Sequence, residues 1–215
     1  MRLLPVDLAP SAGPLRKIEG RMIVLIVEGI IPAMVTPFDR DEQLNEPALK
    51  EMTVRFVQAG VHGLFCLGTN GEFFSLTFDE KVRVAEIVAE ASEGKLPVYA
   101  GAGCTSTAET IRLAQRLEAV GVQALSVITP YFLTYTQEEL FRHFAQVAEA
   151  TTLPIVLYNI PARTSNALQP KTFLNRMGVP AGPSRSPAGP LSQQADNEMQ
   201  LILAKYERQG LLTKQ

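Results

Sequence analysis

Five short clusters in this chain carry residue types from which a reactive site could be built. They are Thr36-Pro37-Phe38, Gly68-Thr69-Asn70-Gly71-Glu72, Gly101-Ala102-Gly103, Thr129-Pro130-Tyr131 and Tyr158-Asn159-Ile160-Pro161-Ala162-Arg163-Thr164. Each follows a short apolar run. In a parallel α/β fold such positions gather on one face, at the carboxyl ends of the strands, where sites are built. Taken singly, most have an ordinary reading. Asn70-Gly71 is a common turn dipeptide, and a tyrosine at a strand end packs more often than it reacts. Gly101-Ala102-Gly103 lacks the third glycine of a dinucleotide-binding loop. Arg163 is the most suggestive single residue, because a guanidinium after an apolar strand can clamp a carboxylate through two parallel hydrogen bonds.

The elements that must position these clusters are legible. Apolar runs at residues 30–35, 61–67, 96–100, 124–128 and 155–158 are short and lack polar alternation, which suits strands buried on both faces. The segments between them carry helix signals. Asn45 precedes Glu46 and Pro47, and a proline at the first helical position gives up only an N–H that would be unpaired anyway. Thr77/Glu80, Ser106/Glu109 and Thr136/Glu139 have capping-box spacing. Gly60, Gly94 and Gly121 stand where the helices should end. Repeated βα units favour an α/β architecture with a parallel sheet. Pattern alone leaves two arrangements open, a doubly wound open sheet and a closed barrel.

Composition narrows the classes. The 215 residues are 46% hydrophobic and 20% charged, enough for an ordinary core. A net charge of −2 provides no basic excess for a phosphate backbone, so nucleic acid is not an expected partner. Cys66 and Cys104 read as small buried residues rather than a disulfide framework, and a reduced, cytoplasmic setting is the simplest fit. His62 and His143 belong to no ligand-spaced cluster, so no metal site is expected. The apolar stretch at residues 22–35 is too short to cross a bilayer and contains Glu28 and Pro32. Three zones are expected: a leader at residues 1–28 outside the fold, a regular region at 29–177, and a Pro/Gly-rich linker with a C-terminal helix at 178–215.

Four motifs in order, GIIPAMVTPF at residues 29–38, GTNGE at 68–72, VITPY at 127–131 and YNIPART at 158–164, resemble the dihydrodipicolinate synthase and N-acetylneuraminate lyase family. The resemblance runs from residue 29 to 177. It implies a TIM (βα)8 barrel, class I pyruvate chemistry through a Schiff base to a lysine, no cofactor, and a homo-oligomer. Carried over position by position, it implies that Thr69 and Asn70, with Gly68 and Thr36, hold pyruvate's carboxylate and relay protons. It also implies that Tyr158 shuttles protons to the forming imine, that Arg163 meets the second substrate's carboxylate, and that Tyr131 supports a subunit contact. Asn70 stands where the family has a second threonine. Phe132 stands where the synthase has a tyrosine that donates its hydroxyl across a dimer interface.

One part is missing. The lysines are Lys17, Lys50, Lys81, Lys95, Lys171, Lys205 and Lys214, and none lies in an apolar strand-like run. Residues 181–192 and 198–212 resemble the family's C-terminal end, so the order jumps from the fifth βα unit to the terminus. The expected fold is therefore an incomplete barrel of about five βα units plus a C-terminal helix. About three units are absent from a barrel that ordinarily runs to ~250 residues. The open side should expose apolar strand edges. Three functions remain in view: a synthase-like lyase of lysine biosynthesis joining pyruvate to aspartate semialdehyde, an aldolase acting on 2-keto-3-deoxy sugar acids or N-acetylneuraminate, and an inactive truncated homologue.

Overall fold

The computed structural model describes two backbone segments near the start, residues 27–168, and the positions Gln193, Asn197, Gln200 and Leu201, which are helical. The two early segments, β1 (Leu15–Ile18) and β2 (Met22–Leu25), pair antiparallel with each other and form a sheet separate from the main one. The main sheet is built from β3 (Leu64–Cys66), β4 (Val98–Gly101), β5 (Ala124–Ile128) and β6 (Ile155–Tyr158), all parallel and in chain order. Between them run α2 (Phe78–Ser92), α3 (Thr107–Val120) and α4 (Gln137–Glu149). α1 (Glu46–Gln58) precedes β3, and the short α5 (Pro161–Thr164) follows β6.

This strand order decides between the two arrangements. A doubly wound sheet reverses its order at a switch point and places helices on both faces. Here the order never reverses, and α1 packs on α2, α2 on α3 and α3 on α4, as a single helical layer. The chain is an incomplete α/β barrel.

The first apolar run differs from its expectation. Residues 30–35 form no named strand and pair with β3 through one parallel bridge, Ala33 to Phe65. Three backbone bonds accompany it: His62 N–H to the Ile30 carbonyl at 2.8 Å, Phe65 N–H to Pro32 at 3.1 Å, and Met34 N–H to Phe65 at 2.8 Å. Pro32 faces β3 with its carbonyl and has no N–H to return a bond on that side, so the ladder here shortens to a bridge. Four full strands and one bridged edge therefore stand where five strands are expected.

The helices form where their caps predict. The Asn45 side chain accepts from Ala48 N–H, and Thr77 and Thr136 make complete capping boxes with Glu80 and Glu139. Ser106 accepts from Glu109 N–H, but the reciprocal half of that box does not form. α3 ends on Gly121, at φ 95°, whereas Gly60 and Gly94 lie one residue beyond the caps of α1 and α2. The core fills the space between helices and sheet, with Leu49, Leu64, Val84, Val88, Leu113, Leu117, Leu125 and Leu140 almost fully buried. Cys66 and Cys104 are buried free thiols, and burial pushes Cys66 up to about 12.

Candidate active site

The site begins with a backbone distortion. Leu67, at the end of β3, adopts φ 58° although it is not glycine, and it is buried. Its carbonyl oxygen would lie 2.0 Å from a Cβ at Gly101, so β4 can approach only because residue 101 has no side chain. Gly103 is held similarly, since a Cβ there would lie 2.3 Å from the Ile128 Cγ2. These two glycines admit neighbouring chain; the weak dinucleotide-loop signal has this packing explanation. After Leu67 the chain enters Gly68, where a Cβ would press on the Phe65 ring at 2.9 Å, and then a single 3-10 turn over Thr69–Gly71.

Within that turn, Gly71 N–H bonds the Gly68 carbonyl at 3.0 Å and Glu72 N–H bonds Thr69 at 3.1 Å. The Thr69 and Asn70 N–H groups have no protein acceptor among the described residues, as expected at the start of a helical turn. Thr36 is buried, and its hydroxyl donates to the Gly71 carbonyl at 2.7 Å. Thr36 thus fixes the loop from behind. Asn70 is exposed.

From the other end of the sheet comes Tyr158. Its phenol oxygen lies 3.1 Å from the Thr69 hydroxyl, and its ring stands edge-on to Phe65 with centroids 6.3 Å apart. Three strand intervals separate β3 from β6, about 14 Å in a flat sheet. The rings of Phe65 in β3 and Tyr158 in β6 touch nonetheless, and Thr69, three residues beyond β3, bonds Tyr158, so the sheet curls and turns this face inward, as in a barrel wall. Against Tyr158 lies a cavity of about 10 Å³, bounded in part by Phe65, Phe73 and Ile128. That is room for one water.

The remaining expected residues stand apart from this bond. Tyr131 is half-buried with its ring edge-on to Phe73 at 6.0 Å. Burial, with the nearby Cys104 and Glu109, pushes its phenol above the ordinary tyrosine value, so it is poorly suited to give up a proton. Phe132 projects almost wholly into solvent, 92% exposed, at φ 84°. Arg163 is exposed on α5, bonded to neither Thr69 nor Tyr158 and ion-paired to no described residue.

Asn166 was not marked by sequence reasoning. It is buried; its amide donates to the carbonyls of Pro130, Leu133 and Thr164, and its oxygen accepts from Tyr135 N–H. Asn166 ties the Tyr131 loop to the segment carrying Arg163. Lys81, on α2, is likewise unmarked. It is only 8% exposed and lies 5.8 Å from the Phe73 ring centre. Of the other described lysines, Lys50 is exposed and Lys95 pairs with Glu93 at 2.5 Å; no residue of the four main strands is a lysine. Lys171, Lys205 and Lys214 lie outside the described residues.

A curled parallel sheet with its hydroxyl pair at the carboxyl ends of the strands defines an α/β-barrel enzyme scaffold. The family model for the dihydrodipicolinate synthetase family matches residues 26–175, and the chain belongs to that family. It is 47% identical over 147 residues to the 4-hydroxy-tetrahydrodipicolinate synthase of Methanopyrus kandleri, covering 68% of this chain and 49% of the relative. Its fold is similar to a prophage protein of the dihydrodipicolinic acid synthase family from E. coli K12, solved in complex with pyruvate. There the TM-score is 0.64 and the identity 39%, over 66% of this chain and 48% of that one. It is similar also to a catalytic lysine mutant of the Ruminococcus gnavus sialic acid aldolase, with TM-score 0.66 and 28% identity over 71% and 50% of the chains. The chain thus spans about half the length of the relatives it matches.

Proposed function

We propose that this chain carries half of a pyruvate-lyase site of the 4-hydroxy-tetrahydrodipicolinate synthase kind. The half it carries holds pyruvate's carboxylate and relays protons, and no lysine stands in the four described main strands to form the Schiff base. The observation that carries this reading is the 3.1 Å pair of Thr69 and Tyr158 hydroxyls beside two uncommitted N–H groups at Thr69 and Asn70. Two backbone donors and a hydroxyl suit a carboxylate, and a hydroxyl chain reaching a phenol suits proton transfer at the adjacent carbon.

In the complete reaction a lysine nitrogen attacks the C2 carbonyl of pyruvate. Water leaves, and the C=N bond acidifies the methyl group, whose proton departs to give an enamine. The enamine then attacks an aldehyde, aspartate semialdehyde in the synthase. Tyr158 would move the protons of imine formation, and Arg163 would meet the aldehyde substrate's carboxylate. Tyr131 would support a contact between copies. The domain division at residues 28 and 177, a cytoplasmic setting and a place in lysine biosynthesis belong to the same reading. No helix among the described residues is long and apolar enough to cross a membrane.

Phe132 favours a second reading, an aldolase for 2-keto-3-deoxy sugar acids or N-acetylneuraminate. A solvent-exposed phenyl has no hydroxyl to add to a relay, and similarity to a sialic acid aldolase accompanies it. Ligand-observed NMR tests the shared half of both readings. Pyruvate should bind the purified chain, and Thr69→Val and Tyr158→Phe should each weaken it several-fold. Equal pyruvate signals from all three proteins would refute the assignment.

A further inference from the structure

We propose that the groove between the carboxyl ends of α2 and α3 binds a small zwitterion, an ω-amino acid whose ammonium and carboxylate are separated by a short methylene chain. The groove has a volume of about 570 Å³, and sites for small ligands commonly measure about 300–1,000 Å³. Val98, the first residue of β4, and Gln123, just before β5, form its floor. It therefore opens at the other end of the strands from the Thr69–Tyr158 pair.

Hydrogen bonds build the floor. Gln123 N–H donates to the Val98 carbonyl at 2.9 Å, the Gln123 side-chain oxygen accepts from Val98 N–H at 2.7 Å, and its amide donates to the Gly121 carbonyl at 2.6 Å. The buried Ser92 donates its hydroxyl to the Ala89 carbonyl at 2.8 Å. These polar groups are committed to the protein. A Cβ at Gly94 or at Gly121 would meet nothing within 4 Å, and the groove is open beside both.

Three charged side chains line the groove, and one of them is already taken. Glu86 pairs with Arg83 at 3.2 Å, and Arg83 also holds Glu46 at 2.7 Å. Glu90, one turn further along α2, and Arg116, on α3, are exposed. Neither side chain makes an ion pair or hydrogen bond with a described residue, nor do the two meet each other. Opposite charges that line one groove without meeting leave room for a ligand that answers both.

Polarity orders that ligand. α2 and α3 pack together and both end at the groove, and each helix places about half a negative charge at its carboxyl end. Glu90 lies two residues before Ser92, where α2 ends, so this part of the groove favours an ammonium. Arg116 lies one turn before Val120, where α3 ends, and its planar guanidinium can take a carboxylate through two hydrogen bonds. Ala89, Ala119, Val98 and Val120 also line the groove and offer an apolar surface to methylene groups. A simple anion or cation would leave one of the two wall charges unanswered.

The test titrates the isotope-labelled full chain with 6-aminohexanoate and follows its amides by NMR. Saturable shifts are expected at Gly94, Gly121 and Gln123, with Thr69 and Tyr158 unmoved. Hexanoate and hexylammonium each keep one charge, and glycine holds its two charges too close together; all three should bind at least about threefold more weakly. Arg116→Gln and Glu90→Gln should each weaken 6-aminohexanoate by a similar factor, whereas Arg142→Gln, on α4, should leave its affinity unchanged. Both groove side chains are exposed and unpaired, so the variants should melt with the parent chain, and the single-charge analogues test the unaltered protein in any case. Equal affinity for hexanoate or hexylammonium, shifts that never saturate, or unchanged binding by Arg116→Gln and Glu90→Gln would overturn the proposal. The measurement uses neither pyruvate nor a lysine adduct, so its outcome is independent of the lyase reading.

Discussion

His143 lies between α3 and α4, 4% exposed, with Nδ1 3.0 Å from the Thr107 hydroxyl and no hydrogen-bond partner for Nε2. Burial lowers its pKa from 6.5 to about 4. In the unfolded chain the ring protonates near its ordinary value, so between those two pKa values the unfolded state binds the extra proton. Stability from this residue is therefore fully present above about pH 6.5 and is lost as the pH falls toward 4. A shift of this size gives about 2 kcal/mol of lost stability at pH 5 relative to pH 7.5, and about 3 kcal/mol at pH 4. Urea unfolding at pH 7.5, 6 and 5 measures it. The carboxylates of Glu80, Glu118 and Glu139, whose pKa values are lowered by hydrogen bonds, start to lose their stabilising effect only near their ordinary value of 4.5, at the acid edge of this window, and they do so equally in wild type and variant. His143→Gln keeps a group able to bond Thr107 and removes the titration, so its stability should be nearly flat across this range. Parallel pH curves for wild type and His143→Gln would refute the reasoning.

Three further outcomes follow from the geometry. Gly101→Ala places a Cβ against the Leu67 carbonyl and should destabilise by more than about 3 kcal/mol, whereas Gly103→Ala meets a side-chain methyl that can shift and should cost less; thermal melts rank the two. Glu118 accepts from the Thr151 hydroxyl at 2.7 Å, Thr152 N–H at 3.1 Å and the Thr152 hydroxyl, so Glu118→Ala should cost about 1–3 kcal/mol and speed amide exchange in the turn before β6. Thr136→Ala breaks a complete capping box and Ser106→Ala half of one, so the first should cost about 1 kcal/mol and the second less, by urea unfolding.

Local chemistry explains how much of this molecule could be read in advance. Helix starts were legible because Asn45, Thr77 and Thr136 satisfy backbone donors within three residues of themselves. Runs 124–128 and 155–158 became strands at the expected residues, while the run at 30–35 was reduced to a bridge by Pro32. Whether the parallel sheet stays open or curls into a barrel was not legible from periodicity. It shows in the unreversed strand order and in a bond between residues 89 apart in sequence, Thr69 and Tyr158. Their pairing was expected only from motif resemblance, since neither residue carries a local sign of the other. Leu67 gave no signal, because nothing in a leucine predicts a left-handed backbone. Gly101 gave a misleading one, since a glycine that admits a carbonyl looks the same in sequence as one that admits a phosphate. Asn166 was hidden for a related reason: its partners are the backbone of a loop more than thirty residues earlier.

The central claim is that this chain carries the carboxylate-holding and proton-relaying groups of a pyruvate site, with no lysine on its described main strands to form the imine. Reductive trapping tests it most directly. The purified full chain is incubated with pyruvate and borohydride, and its intact mass and peptides are measured. The account predicts no adduct on any lysine, Lys81 and Lys171 included. A stable pyruvyl adduct on one lysine, lost when that lysine is replaced by alanine, would contradict it.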